Sequence, residues 1–116
     1  MLQVQWVKCT GDNWCPFKLV DLSGVKTLGV YIIWHEGNPG RVVRVGQGDI
    51  AVRIGKHRND SEITQYEKSG TLRVTWASVP AQYLNGVERY LADTWSPLVG
   101  EAFPDAAPNA VNSPFA

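Results

Sequence analysis

The stretch from Gly29 to His57 places several element-forming patterns next to one another. Its first part, Gly29 to Trp34, is rich in β-branched and aromatic residues, and that composition favours a buried strand. Turn-forming residues follow between His35 and Gly40, and a second β-rich run extends from Arg41 to Gly46. Two such runs on either side of a short polar turn predict a hairpin.

A helix is predicted directly after the hairpin. The Gly-Gln-Gly-Asp segment at 46–49 should end the second strand as a loop, and Asp49 is a good N-cap for a helix that runs to Arg58. Arg53 and His57 share one helical face with apolar residues, the face expected to look toward the sheet. The alternative is a pair at the solvent edge. The loop glycines could cradle a phosphate, although a tight turn also explains them.

The elements after residue 60 complete a mixed fold. Ser61 is the expected cap of a short helix over Glu62 to Lys68, and Thr71 to Val79 has the clearest strand alternation in the chain. Pro80 then begins a helix that reaches about Trp95. The prediction is an α/β (α+β) fold in the order β-β-α-α-β-α, with a small, three-stranded, mainly antiparallel sheet flanked by helices.

Glu88 lies within the apolar stripe of this last helix. A carboxylate on a core-facing stripe is costly unless it is paired, hydrogen-bonded or bound to a metal ion. A buried ion pair with Arg53 is the alternative to a metal site. Similarly, Tyr31 in the first strand is either a reactive phenol or an ordinary core aromatic.

With 116 residues, 44% of them hydrophobic and 19% charged, the chain should form a single domain. Its core is expected at about 28–98, with 1–27 as an N-terminal cover that includes a short strand in the first eight residues. The proline- and alanine-rich tail at 99–116 should be irregular and lie over the body.

The formal net charge is zero, which argues against a tight nonspecific DNA binder. Basic residues nevertheless concentrate in one segment, which is either a locally positive face suited to phosphate or an ordinary solvated face. They are Arg41, Arg44, Arg53, Lys56 and Arg58.

The cysteine pattern and hydropathy favour a cytoplasmic protein. Cys9 and Cys15 match no four-ligand zinc pattern, so two reduced structural thiols are expected, with a disulfide as the alternative. The sequence contains neither a signal-peptide pattern nor an apolar run that approaches 18 residues, so no membrane partner is expected.

Taken in chain order, these residues resemble the motifs of the GIY-YIG nuclease superfamily, as a small stand-alone domain. The matching positions are Gly29-Val30-Tyr31, Arg44-Val45-Gly46, Arg53, His57, Glu88 and Pro97. The chain departs from the family pattern at two places. Arg44 stands where a tyrosine is usual, and Gly100 stands where an asparagine is usual, with Asn112 a weak substitute.

The resemblance implies a metal-dependent endonuclease that hydrolyses a nucleic-acid phosphodiester, with DNA expected. Glu88 would hold one Mg²⁺ or Mn²⁺ ion through hard oxygen ligands, and Arg53 would offset phosphate charge. Tyr31 would position or activate water, and His57 would relay its proton or hold the geometry. The expected substrate-binding residues are Arg44, Gly46 and Lys56. Two alternatives remain: a catalytically inactive nucleic-acid-binding or protein-interaction domain with this fold, and a coincidental likeness.

Overall fold

The strands form one antiparallel sheet in a computed structural model that describes residues 1–100 and 102–115. They are β1 (Cys15–Pro16), β2 (Leu28–His35), β3 (Arg41–Asp49) and β4 (Leu72–Ser78), in the spatial order β1-β4-β2-β3. The helices are α1 (Ile50–His57), α2 (Ser61–Thr64) and α3 (Leu84–Trp95), with 3₁₀ turns at Thr10–Asp12, Gln65–Lys68 and Ala81–Tyr83. The predicted class and element order are confirmed. The sheet has four strands rather than three because the two-residue β1 pairs with the edge of β4.

The sheet separates two apolar layers. Because side chains alternate along β2, Tyr31 and Ile33 pack with the isoleucines of α1, whereas Val30 and Ile32 pack with α3 on the opposite face. Nearly all of β2 is buried, which explains why its sequence is a continuous apolar run rather than an alternating one.

Both short helices after the hairpin are capped by aspartates. Asp49 accepts a hydrogen bond from the backbone N–H of Val52 at 3.3 Å, as predicted. The cap of α2 is Asp60, whose carboxylate accepts from the N–H of Glu62 at 3.0 Å, so the assignment of Ser61 as the cap was wrong. No helix among the described residues is both long and apolar enough to cross a membrane.

The segment at 46–49 is not a loop, contrary to the prediction. It continues β3, with Gln47 opposite Val30 and Gly48 opposite Gly29. The first half of β2 offers a partner for its backbone groups, and pairing them in the sheet outweighs the turn preference of the two glycines. The strand therefore reaches Asp49, and α1 starts directly at its end.

The first eight residues do not form the predicted strand. Their backbone contacts include an isolated bridge between Leu2 and Val111 and a hydrogen bond from Val7 N–H to Trp76 C=O. The side-chain amide of Asn112 accepts from Val4 N–H at 2.7 Å and donates to Val4 C=O at 3.0 Å. The Asn112 side chain thus bonds both backbone groups of Val4, as a neighbouring strand would, and it connects the N-terminal and C-terminal segments.

The C-terminal tail lies over the body, as predicted. The N–H groups of Leu98 and Val99 donate to the carbonyls of Val42 and Val43 on β3. These bonds occupy part of the outer edge of β3, which would otherwise expose unpaired backbone groups.

Cys9 and Cys15 form a disulfide, so the expectation of two reduced thiols was wrong. The 3₁₀ turn at Thr10–Asp12 and the backbone bridge between Cys9 and Asn13 reverse the chain between them. This reversal brings the two Cα atoms to 5.0 Å, within the range that a disulfide needs.

We predict that Asn112→Ala destabilises the fold by roughly 1–3 kcal/mol, because it leaves the partly buried N–H and C=O of Val4 without partners. Chemical denaturation measures the change. The matched control is Asn59→Ala, since Asn59 is exposed and makes only a 3.5 Å bond to Gly55. Equal losses in the two variants would contradict this role for Asn112.

Candidate active site

The register of the β2–β3 ladder places Arg44 on the same face of the sheet as Tyr31, because Gly46 lies opposite Tyr31 and Arg44 lies opposite Ile33. Ile33 lies opposite Arg44, but the register shifts at the next pair, so Val43 is an extra residue in β3. Because of the bulge, Val43 packs in the same cluster as Ile33 and Tyr31 although it neighbours Arg44. Arg44 thus shares the α1 side of the sheet with Tyr31, where burial raises the pKa of the phenol and the charge of Arg44 opposes that rise.

Gly46 makes room for this phenol. Tyr31 lies opposite Gly46 in the β2–β3 ladder and is only 2% exposed. A Cβ atom at Gly46 would collide with the hydroxyl and ring of Tyr31. Glycine is required here because the ring of Tyr31 crosses directly over the neighbouring strand.

Helix α1 brings His57 to Tyr31. The phenol oxygen and His57 Nε2 are 2.6 Å apart, and their ring centroids are separated by 5.4 Å. Arg53 lies one turn earlier on α1, where it is exposed and its side chain lies against Gly48 of β3. The alternative that both residues lie at the solvent edge therefore fits Arg53. It does not fit His57, which faces the buried phenol of Tyr31.

The imidazole of His57 is held neutral. Burial is the main cause that lowers the pKa of His57 to about 4, and the positive charges of Arg44 and Arg53 act in the same direction against the weaker effect of Asp60. A neutral imidazole with its proton on Nδ1 accepts a hydrogen bond at Nε2. The phenol of Tyr31 can then donate to His57.

The phenol itself is not ionised by its surroundings. Burial raises the pKa of Tyr31, and nearby Glu88 adds to this, while Arg44 and Arg53 oppose it without cancelling it. A phenol in this state needs a partner to take its proton before it can accept one from water. His57 is placed to be that partner.

Glu88 reaches the site from α3, on the opposite layer of the sheet. It is half-buried, and burial raises the pKa of its carboxyl group against the opposing effects of the Gln47 amide, Arg44 and Arg53. Arg53 and Glu88 do not form an ion pair within the described residues. The alternative of a buried pair between them is therefore wrong.

The sequence analysis did not select Gln47 or Asn85. Gln47 lies opposite Val30, whose side chain packs with α3, so Gln47 points to that helix. Its Nε2 donates to Asn85 Oδ1 at 2.7 Å, which ties β3 to α3 beside Glu88. The signal that would have revealed Gln47 is strand alternation continued through the two glycines.

A single divalent ion fits Glu88 as far as ligand chemistry goes. Among residues 1–100 and 102–115, no group of three or more His, Cys, Asp or Glu side chains is arranged to hold a metal. Mg²⁺ commonly uses one or two carboxylates and completes its shell with water and substrate phosphate. Glu88 provides such a carboxylate, and burial is what raises its pKa.

Other residues selected from the sequence lie outside this constellation. Lys56 is exposed on α1, and Arg58 donates to the carbonyls of Phe17 and Val20, away from the phenol. Asn112 joins the two ends of the chain and is no substitute for the family's asparagine. The positive charge near Tyr31 therefore comes from Arg44 and Arg53 rather than from all five basic residues of the segment.

The depressed pKa of His57 predicts an acid-sensitive fold. Below pH 6.5 the unfolded chain binds a proton at His57 that the folded chain resists until about pH 4, so stability falls through this window. His57→Gln should reduce the loss of folding stability between pH 6.5 and pH 4. The variant should also be less stable than the wild type at neutral pH, because its hydrogen bond to Tyr31 is altered.

Denaturation curves at several pH values check this prediction. The difference between wild type and variant isolates His57, because Glu88, whose raised pKa has the opposite sign of effect, is present in both. Parallel curves for the two proteins would contradict the assignment.

No family model, curated protein or solved structure matches the chain. The resemblance to GIY-YIG nucleases therefore rests on the motif residues of the sequence.

Proposed function

We propose that this chain is a metal-dependent endonuclease of the GIY-YIG type, which hydrolyses a phosphodiester bond of nucleic acid. One observation carries the proposal: the 2.6 Å contact between Tyr31 and a neutral His57, with Arg44, Arg53 and Glu88 near enough to influence the phenol. These five residues come from two strands and two helices that pack on opposite faces of the sheet. Ordinary core packing does not require such a gathering of ionisable groups.

The chemistry that this arrangement supports is a proton relay. A water molecule beside the phenol would lose a proton to the oxygen of Tyr31 as the phenol proton passes to Nε2 of His57. The oxygen of that water would form a bond to phosphorus, while the bond from phosphorus to the leaving oxygen breaks. The relay leaves a positive imidazolium and a neutral phenol, and no free phenolate is required.

Charge on the phosphate would be offset from two sides. Arg53 is exposed and free of ion pairs in the described chain, so its fork of donors can take a phosphate oxygen. Arg44 adds a second, more buried positive charge beside Tyr31. A divalent ion at Glu88, when bound, would stabilise the leaving oxygen.

One feature supports a second candidate, a domain that binds nucleic acid without cutting it. Arg44 is permanently protonated and cannot act as a base, and its buried Nε has no hydrogen-bond partner among the described residues. A guanidinium with an unpaired N–H group can bind an anion such as phosphate, and it can do so whether or not the phosphodiester is then cleaved. Binding that persists in chelator, together with intact substrate in Mg²⁺ and Mn²⁺, would favour this candidate.

We predict that the protein nicks or cuts DNA in Mg²⁺ or Mn²⁺ and that three substitutions strongly lower the rate of cutting. Tyr31→Phe breaks the relay and should lower the rate about 100- to 10,000-fold. Arg53→Ala removes a charge contact and should cost about 100- to 1,000-fold. Glu88→Gln should reduce cutting to background, because an amide is a much weaker ligand for a divalent ion than a carboxylate. Gel assays on duplex, branched and single-stranded substrates measure all three.

Matched controls make the same chemical changes elsewhere on the surface. Tyr83→Phe, Arg89→Ala and Glu62→Gln alter one exposed or partly exposed side chain each, outside the constellation, and should leave the rate within about twofold. If wild-type protein leaves every substrate intact with either metal, or if controls and site variants lose activity together, the nuclease proposal is wrong.

We also predict an unusual pH profile. An ordinary histidine base would lose activity as the pH falls through 6.5, whereas His57 stays neutral to about pH 4. With saturating Mn²⁺ to keep Glu88 ionised, kcat/KM should therefore change little between pH 7 and pH 6. A tenfold loss per pH unit in this interval would show that His57 is not the proton acceptor.

A further inference from the structure

A second concave region lies outside the Tyr31 site. A cavity of about 420 Å³ opens between the start of β3, the end of α3 and the C-terminal tail. Its lining residues are Trp34, Gly40, Arg41, Val42, Trp95 and Phe115. The volume is within the ~300–1,000 Å³ range of small-molecule sites. The proposed reaction uses none of these residues.

Three aromatic rings form the walls. The ring centroid of Phe115 is 4.9 Å from that of Trp34 and 5.3 Å from that of Trp95, with interplanar angles of 81° and 90°. On its other side Trp34 meets Trp14 edge to face at 5.5 Å, which fixes its orientation. Rigid aromatic walls of this kind suit a flat, aromatic ligand.

The mouth of the cavity carries a positive charge. Arg41 is exposed, and the hydrogen bond that its side chain makes within the described residues is a long one to Ser96 C=O at 3.4 Å. It takes no part in the ion pairs found in the described portion of the chain. A ligand that combines a flat ring with a negative group would satisfy both features, and a nucleotide has this combination.

The cavity lies on the α3 face of the sheet and shares α3 with Glu88 and β3 with Gly46, whereas Tyr31 packs on the opposite, α1 face. Trp95 follows Glu88 by seven residues on α3, which is about 10 Å, and Arg41 precedes Gly46 by five residues on β3, about 17 Å. These spans correspond to roughly three to five nucleotides of a stacked strand. A nucleic-acid strand of this length therefore matches the spacing of Trp95 from Glu88 along α3 and of Arg41 from Gly46 along β3.

We propose that the cavity binds an unpaired nucleotide a few positions from the bond that is cut, an inference that rests on the proposed nuclease function. The base would lie against Trp34, Trp95 and Phe115, with its phosphate at Arg41. The preferred substrate would then contain unpaired nucleotides, as in an overhang, a bubble or a branch.

Direct binding is tested by NMR on the full chain in chelator, with deoxyadenosine 5′-monophosphate as the probe. The indole N–H signals of Trp34 and Trp95 should shift, whereas those of Trp6 and Trp76 should not. Ribose 5-phosphate, which lacks a base, should bind at least about fivefold more weakly. Absence of any shift at Trp34 and Trp95, or tighter binding of a peptide that ends in phenylalanine, would overturn the proposal.

Two variants test the same contacts. Trp95→Leu and Arg41→Gln should each weaken nucleotide binding about fivefold or more, while Tyr83→Leu and Arg89→Gln should not. Arg41 is exposed, so Arg41→Gln remains informative if Trp95→Leu unfolds the protein. If Arg41→Gln binds the nucleotide as tightly as the wild type, the phosphate does not bind at Arg41 and the proposal is wrong.

Cleavage assays separate this inference from the nuclease proposal. Arg41→Gln should lower cutting of substrates with unpaired nucleotides at least fivefold relative to fully paired duplex. Cutting that is independent of Arg41 and Trp95 would refute the nucleotide site and leave the nuclease proposal intact. Nucleotide binding without any cutting would keep the site as a binding site and refute the nuclease proposal.

Discussion

The hydrogen bond between Tyr31 and His57 is the contact on which the proposed site depends. It joins β2 to the last residue of α1, and both partners must be placed by elements outside themselves. Gly46 leaves the space that the phenol occupies, and Asp49 caps α1 directly after β3. A strand that leads into a helix without a loop fixes the start of that helix, and two turns later His57 meets the phenol.

Two arginines act on the phenol of Tyr31 with positive charge, and Glu88 acts on it with negative charge. These two arginines, the buried phenol and a neutral imidazole lie near one another, and the negative charges that act on them come from the half-buried Glu88 and from Asp60. The pKa of Glu88 is nevertheless raised, so burial outweighs the attraction of both guanidinium groups. A bound phosphate would compensate the arginines, and a divalent ion would compensate the carboxylate. Both ligands of the proposed reaction would thus relieve costs that the free protein carries.

Much of this arrangement could be predicted from the sequence because it depends on local patterns. The hairpin, the Asp49 cap and the apolar stripe of α3 are encoded in neighbouring residues, and they place Tyr31, His57 and Glu88 on the correct elements. The errors lie where distant segments decide the structure. The glycines at 46 and 48 signal a turn locally, yet β2 provides a partner that extends the strand. The first eight residues alternate like a strand, but they pair with the Asn112 side chain.

The two departures from the family pattern, at Arg44 and Gly100, touch each other. A Cβ atom at Gly100 would lie 2.8 Å from Nη1 of Arg44, so no larger side chain fits there without displacing the guanidinium. Gly100 also has a positive φ of 107°, which side chains disfavour. The long Arg44 side chain therefore occupies space that an asparagine at position 100 would need.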